Sequence, residues 1–219
     1  MKFAFKWNSA LRLFELTRQS TIGLGESFTP PESQWTPRPG KWSAGEILHH
    51  LVLADALFGG ILNELFSKAR RGDRSTLRHS FRDVNNFVGF LPPFLQPFAD
   101  LPFTALNLIT PAPIREAIAR SSWLPLKNPD AATPAKGLTV GTLLNHLRSS
   151  AATIQAGVLD ATGLDPGGMR YQHPLLGPND AVHMLRLLCF HERRHQEQLR
   201  SLRRSLDRMP RSSTHSHEC

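Results

Sequence analysis

A pair of histidines near the end of the chain, His191 and His195, constrains the fold more than any other feature. The pair lies in a stretch, 184–206, whose apolar residues recur at helical spacing. Four residues make about one helical turn, so both imidazoles project from one face. At about 100° per residue, that face also carries the apolar side chains of the stretch, namely Met184, Leu187, Leu188, Leu199, Leu202 and Leu206. The sequence therefore predicts an amphipathic helix that buries two polar rings.

Two buried imidazoles need polar partners, because a polar group buried without a hydrogen bond costs free energy. A metal ion is one partner that satisfies both rings, and backbone or carboxylate groups are the alternative. The opposite face of the predicted helix is basic and carries Arg186, Arg193, Arg200, Arg203 and Arg204. This contrast between faces orients the helix, with the histidines toward the core and the arginines toward solvent.

Apolar periodicity predicts two helices in the first third of the chain. The first runs from about residue 8 or 9 to 23, where glycines and a Pro-Pro pair follow. The second begins after Ser43 and continues to about residue 69. Ser43 and Glu46 have the spacing of a capping box, and Trp42 and Ile47 have that of a hydrophobic staple. Both patterns predict that a helix starts at this point.

A third long helix is predicted from residue 139 to about 162, and the helix of His191 begins after Asn179 or Asp180, either of which suits a helix cap. We find no sequence repeat and no convincing strand. The predicted fold class is all-α, an up-down four-helix bundle with an irregular Phe/Pro-rich insertion between helices 2 and 3. One domain is expected over residues 1–208, with the insertion at about 73–135 and a disordered tail at 209–219.

The inserted segment is unusually apolar and rich in proline. Residues 84–114 contain a single charge, Asp100, and prolines at that density break regular elements. One interpretation is an insertion that packs on the bundle through its phenylalanines. The other is a lid or mouth for an apolar substrate, with Phe87, Phe90 and Phe94 as candidate substrate-binding residues, or a homodimer contact.

A third ligand candidate is found on the second helix, which carries the pair His49-His50. The apolar stripe of that helix is centred about 30–40° from His50, whereas His49 lies off the stripe. His50 is therefore expected to face inward and to meet His191 and His195. Three neutral imidazoles leave a fourth position open, which is typical of a catalytic zinc site. Imidazole also suits nickel, copper and iron, and three core histidines with ordinary hydrogen bonds are the alternative.

These residues resemble the motifs of a known family. Trp42-Ser43, Glu46 and His50-Leu51 resemble the opening motif of the DinB-like (DinB/YfiT) superfamily. His173-Pro174, Gly177, His191, Arg194-His195 and Gln198 resemble its closing motif. The resemblance covers residues 8–72 and 138–205. It implies a four-helix bundle in which His50, His191 and His195 bind one divalent metal ion, with zinc or nickel expected.

The same resemblance suggests what the metal would do. Members of the superfamily include small-thiol-dependent transferases and isomerases, so activation of a low-molecular-weight thiol cosubstrate is the first expectation. A metal-dependent hydrolase and a non-catalytic metal-binding stress-response module are the alternatives. Glu192 is a candidate general base, or else a surface residue paired with an arginine. Gln198 is a candidate that orients a ligand histidine or contacts substrate, or else a packing residue.

Composition limits the remaining classes of function. The chain has 219 residues and a formal net charge of +8, but its arginines are spread out and not interleaved with aromatic residues, so a nucleic-acid partner is not expected. The sequence has no run of 18 apolar residues and no apolar leader. Cys189 and Cys219 are its only two cysteines, which do not make a disulfide framework. We therefore expect a cytoplasmic protein with a small-molecule substrate and no membrane span.

Overall fold

The structure is a computed structural model that describes residues 2–78, 132–173 and 177–209. Four long helices dominate it: α1 (Lys2–Glu26), α3 (Ala44–Arg70), α4 (Val140–Asp160) and α5 (Ala181–Asp207). A short helix, α2 (Pro30–Gln34), precedes α3, and a 3₁₀ turn (Pro166–Gly168) follows α4. Three short strands complete the described part: β1 (Leu77–Arg78), β2 (Arg170–His173) and β3 (Gly177–Asp180).

The four long helices pack as a bundle, which confirms the predicted four-helix-bundle class, but their directions do not alternate as in the up-down bundle that was predicted. Helices α3 and α4 run parallel, because Asp55 lies against Ser150 and Phe66 lies against Gly157 farther along both helices. Helices α1 and α5 are also parallel to each other, because Arg18 contacts Glu192 and Thr21 contacts Gln196 farther along both helices. Helix α1 is antiparallel to α4, because Glu15 contacts Gln155 whereas Glu26 contacts Arg148. The directions are thus up, down, down, up, since a long connection lets α4 start where α3 started.

The helix starts follow from local chemistry that the sequence states clearly. At the start of α3, Ser43 Oγ accepts from the Glu46 amide at 3.2 Å, and Glu46 Oε2 accepts from the Ser43 amide at 2.9 Å. This is the predicted capping box. Asp180 caps α5 by accepting from the His183 amide at 2.7 Å. The predicted second, third and last helices correspond to α3, α4 and α5, and these have nearly the predicted bounds.

Helix α1 begins at Lys2 and not at residue 8 or 9. Trp7 lies inside it, fully buried, with its ring edge-on to Phe66 at a centroid distance of 5.8 Å. The predicted start, at Asn8 or Ser9, was therefore too late by about two turns. Their position beyond a buried tryptophan places them inside the helix.

A small three-stranded sheet was not predicted. Strand β2 pairs parallel to β1 and antiparallel to β3, with Tyr171 opposite Leu77 on one side and Asn179 on the other. The strands have only two to four residues, and the last of them contains Pro178, so no apolar alternation marks them in the sequence. The sheet lies at the end of the bundle from which α5 starts, and Tyr171 of β2 is buried.

Helix α3 forms the floor of the candidate site described below. Among the described helices it alone is long and apolar enough to cross a membrane by length and composition, with a mean hydropathy of 1.3 over its most apolar window. Half of that window is buried inside the bundle, and α3 packs closely on both α4 and α5. These contacts are those of a core helix.

Candidate metal centre

Three histidines from two antiparallel helices meet near one end of the bundle. His50 comes from the second turn of α3, and His191 and His195 come from the middle of α5. His50 and His195 are buried, with 2% and 5% of their surface exposed, and His191 is half-buried. The ring centroids lie 4.6–5.1 Å apart. The structure thus brings together the three residues that the sequence selected as candidate ligands.

The nitrogen atoms of the three rings converge. One ring nitrogen from each histidine can be chosen so that all three lie within 4.8 Å of one another. His50 Nε2 and His191 Nε2 are 3.1 Å apart. Two imidazoles bound to one zinc-type ion at about 2.0–2.1 Å with a tetrahedral angle would hold their nitrogens about 3.3 Å apart. The spacing of this pair therefore fits a shared metal ion.

The other ring nitrogens are engaged in hydrogen bonds that set the tautomers. His50 Nδ1 donates to the carbonyl oxygen of Ala132 at 2.7 Å, and His195 Nδ1 donates to Gln198 Oε1 at 2.8 Å. A backbone carbonyl only accepts, so the proton of a neutral His50 is on Nδ1 and its Nε2 carries a lone pair. Outer partners of this kind orient ligand histidines in metal sites. The donor set therefore fits a divalent cation.

Burial keeps the three rings neutral. It lowers the pKa of His191 well below the ordinary value, and it lowers that of His50 as well. The pKa of His195 falls to about 3, chiefly through burial and then through the charge of His50. The Arg194 guanidinium lowers the pKa of all three further. Neutral imidazole is the form that binds metals, so the cluster is in its ligating state at neutral pH.

Aromatic side chains border the cluster. The Trp42 ring lies 5.0 Å from the His50 ring and stacks on the His195 ring at 6.2 Å between centroids. The Phe58 ring lies 6.5 Å from that of His191. Apolar walls of this kind exclude water and lower the local dielectric constant, which strengthens interactions of the rings with a bound ion.

Glu192 does not reach this cluster. It is fully buried and its carboxylate contacts Arg18 of α1, with Glu192 Oε2 3.1 Å from an Arg18 terminal nitrogen. The pairing with an arginine is as expected, but the surface position is wrong. Because about 100° separates successive residues on a helix, Glu192 faces α1 while His191 faces α3. Among the described residues, the structure gives Glu192 no contact from which it could act as a base on the histidine site.

The contacts of Arg18 define a second buried polar cluster, the Arg18–Asp55–Glu192 cluster. Arg18 binds both oxygens of Asp55 at 2.7 Å and also donates to the carbonyl oxygen of Leu147 at 3.0 Å. A further ionic contact joins Arg18 Nε and Glu192 Oε1 at 3.1 Å, without hydrogen-bond geometry. The cluster ties all four long helices together. Burial raises the pKa of Glu192 against the opposing effect of Arg18.

The remaining residues considered in the sequence analysis lie in different parts of the molecule, and only some of them reach the histidine cluster. Gln198 contacts a candidate ligand histidine, as the first of its two interpretations requires. His49 lies apart from the cluster, where its Nδ1 accepts from the Ala135 amide at 2.8 Å. Cys189 is buried, and burial raises the pKa of its thiol to about 12. The candidates Phe87, Phe90 and Phe94, the rest of the insertion at 79–131, the tail beyond 209 and the side chain of His173 lie outside the described residues.

Sequence reasoning missed three contributors to this region. Trp42 was interpreted as a staple and motif residue but not as a contact of the histidine rings. The carbonyl of Ala132 could not be foreseen because it belongs to the inserted segment. The third is Arg18, for which a sequence feature exists. The buried residues Trp7, Leu11, Phe14, Arg18 and Thr21 are spaced alternately by four and three along α1. A charge on such a stripe requires a buried partner.

Fold and site together define the class: a four-helix bundle with a buried three-histidine cluster that could bind a metal ion. Comparison with known families agrees with this class, because the family profile described as DinB superfamily matches residues 13–199. The match includes all three histidines, the whole of α3 and α4, and parts of α1 and α5. The chain belongs to the DinB superfamily, as the sequence motifs predicted. Searches of curated proteins and of solved structures found no match.

Proposed function

We propose that this protein is a metal-dependent enzyme that activates a low-molecular-weight thiol for a transferase or isomerase reaction. In this proposal His50, His191 and His195 hold one zinc or nickel ion. The observation that carries it is the convergence of three neutral rings, two of which have Nδ1 engaged elsewhere. Such a set supplies three ligands and leaves a further position for an exogenous group.

A divalent ion in this position would act as a Lewis acid and would lower the pKa of a thiol or water beside it. The protein's own residues supply the fixed geometry. Ala132 and Gln198 hold two of the rings in the tautomer that presents Nε2. Trp42 covers those same two rings and keeps bulk water from them. Rigid ligands and a dry wall are what such chemistry needs from a scaffold.

The charges around the cluster favour a thiol over water as the activated group. Groups that act electrostatically on the three rings are the rings themselves, His49 and Arg194, and no carboxylate of the described residues is among them. Hydrolysis commonly uses a carboxylate or histidine base to take a proton from water. A thiol needs less assistance, because its pKa is already close to neutral and its anion is strongly nucleophilic.

The test uses full-length protein purified without a histidine tag and loaded with cobalt(II), which reports ligand changes by absorption. Titration with 2-mercaptoethanol should produce a thiolate-to-cobalt charge-transfer band in the wild type. His50→Ala should bind no stoichiometric metal and show no band. His146→Ala, which removes an exposed histidine of α4, should behave as the wild type. Stoichiometric cobalt without any thiol-dependent band would refute thiol activation and leave hydrolysis or non-catalytic metal binding.

A further inference from the structure

A groove of about 680 Å³ runs beside the three-histidine cluster, between the loop before α3 and the second half of α5. Its floor is apolar, formed by Ile47 and Leu202, and Trp42 forms one wall. The same side chain borders the histidines, because the Trp42 ring packs on His50 and His195. The groove has the volume usual for a small-molecule site and adjoins the candidate metal centre.

One edge of the groove is positively charged. Arg38 and Lys41 line it, and both are exposed. In the part of the chain that the structure describes, neither side chain has an ion pair or hydrogen bond, and no carboxylate is among the residues that line the groove. The neighbouring Arg203 differs, because Glu32 and Asp207 both bind it. The groove therefore has a positive potential that its own acidic residues do not cancel.

The loop that presents the two cations is held in one shape. Gly40 has φ of +77°, a conformation that residues with a side chain rarely adopt. Pro37 and Pro39 flank Arg38 and fix two further backbone angles. The amide of Lys41 closes the turn by donating to the carbonyl of Arg38 at 3.2 Å. Because the turn is rigid, binding a ligand there costs little ordering of the backbone.

The α5 side of the groove offers neutral hydrogen-bond donors. Gln198 uses its carbonyl oxygen to accept from His195, so its amide group remains available to donate. The hydroxyl of Ser201 lines the same side. Gln198 therefore touches both the groove and a candidate metal ligand. A molecule held in the groove would have its other end close to the three-histidine cluster.

We propose that the groove binds the carboxylate of a small, partly apolar organic molecule, with Arg38 and Lys41 as its ionic partners. This inference rests on the proposed function and names its substrate class: a thiol, or the molecule it reacts with, that carries a carboxylate. The apolar part of the ligand lies on Ile47 and Leu202, against Trp42. The positive charge of Arg194 also acts on the histidine cluster, and it adds to the attraction for an anion there.

The test compares two thiols that differ only in charge. Cobalt-loaded full-length protein is titrated with 3-mercaptopropionate and with its neutral amide, 3-mercaptopropionamide, at low salt. The wild type should bind the carboxylate about tenfold more tightly, as expected for charge-assisted hydrogen bonds at an exposed edge. Arg38→Ala/Lys41→Ala should reduce that ratio to about twofold or less. Arg71→Ala/Arg74→Ala, which removes two exposed cations at the other end of α3, should keep it.

Equal affinity for both thiols in the wild type would overturn the inference and leave the proposed function intact. A preference that survives in Arg38→Ala/Lys41→Ala would also overturn it. If neither thiol gives a cobalt band, the proposed function fails, and the groove is tested with 3-phenylpropionate and 3-phenylpropionamide through the intrinsic tryptophan fluorescence, to which Trp42 in the groove wall contributes. Quenching only by the carboxylate, lost in the groove variant, would support the inference. Displacement by inorganic phosphate at equal concentration would contradict the carboxylate class.

Discussion

Two polar clusters lie side by side in this bundle, and they are built on opposite principles. The Arg18–Asp55–Glu192 cluster joins a cation to two carboxylates, so its charges are largely satisfied from within. The three-histidine cluster joins three groups of the same kind, none of which can neutralise another. Its members come from α3 and α5, as do Asp55 and Glu192.

The difference in charge between the two clusters distinguishes a structural cluster from a candidate ligand site. A buried ion pair with good geometry needs nothing more, although it stabilises less than its strength suggests, because both charges have lost their water. His50 and His195 each present an Nε2 lone pair to the cluster, and a lone pair buried without a donor or a cation costs free energy. The first cluster therefore gives each of its charges an ionic partner, although Arg18 Nε and Glu192 Oε1 form no hydrogen bond. The second is a cluster that a metal ion could complete.

The largest expected effect comes from breaking the complete cluster. Arg18→Met leaves the carboxylates of Asp55 and Glu192 buried without their cation, which should lower the free energy of unfolding by about 3–5 kcal/mol. Urea denaturation followed by circular dichroism measures it. Replacing all three residues together, Arg18→Met with Asp55→Leu and Glu192→Leu, should recover much of the loss. A triple variant as unstable as the single one would contradict the interpretation of the cluster.

Breaking the histidine cluster should instead change the response to metal. At a free zinc concentration 100 times the dissociation constant, binding stabilises the folded wild type by about 2.7 kcal/mol. His50→Ala should lose that stabilisation, while the exposed-residue control His146→Ala keeps it. Thermal unfolding with zinc and with a chelator gives two values for each of the three proteins. A zinc response that persists in His50→Ala would mean that the ion binds elsewhere.

A smaller effect is expected from the residue that orients a ligand ring. Gln198→Leu removes the acceptor for His195 Nδ1 but keeps most of the side-chain volume. Loss of an outer partner of this kind weakens metal binding about 10–100-fold. Competition with a chromophoric chelator measures the affinity. Ser201→Ala, one turn away, serves as the control, and equal affinities in the two variants would show that Gln198 does not support the site.

The smallest effect concerns an ion pair outside both clusters. Hydrogen bonds from Arg203 hold the pKa of Glu32 at about 2, below its ordinary value of 4.5. Because the folded-state pKa is lowered, the stabilisation is present above about pH 4.5 and disappears as the pH falls toward 2. Glu32→Gln should therefore cost at most about 1 kcal/mol at pH 7. Chemical denaturation at pH 7 and near pH 2 measures the difference in the free energy of unfolding between the wild type and Glu32→Gln. This difference should vanish at low pH, and a difference that stays constant would contradict the role of the ion pair.

Much of the bundle could be predicted because its information is local. The capping box at Ser43 and the cap at Asp180 mark helix starts through residues only a few positions apart. The inward position of His50 followed from its angle to the apolar stripe of its own helix. Family motifs then joined it to His191 and His195. Apart from that motif match, the deciding residues lie within one helix or at its first turn.

The missed features depend on residues far apart in the chain. Arg18 and Glu192 are 174 positions apart, so nothing near Glu192 indicates that it is buried against a cation. The small sheet likewise joins Leu77 to Tyr171 through short strands without apolar alternation. Gln198 was left between orienting a histidine and simple packing, because the choice depends on a side-chain direction that helical angle alone does not decide.

The most direct test of the account is X-ray absorption spectroscopy of the full-length protein loaded with one zinc ion per chain. We predict a first shell that contains three imidazole nitrogens at about 2.0–2.1 Å and one exogenous ligand atom that is lighter than sulfur. In His50→Ala protein the imidazole scattering should fall or the zinc should be lost. A wild-type spectrum dominated by sulfur, or by oxygen with fewer than three imidazoles, would contradict the claim that these histidines form the metal centre.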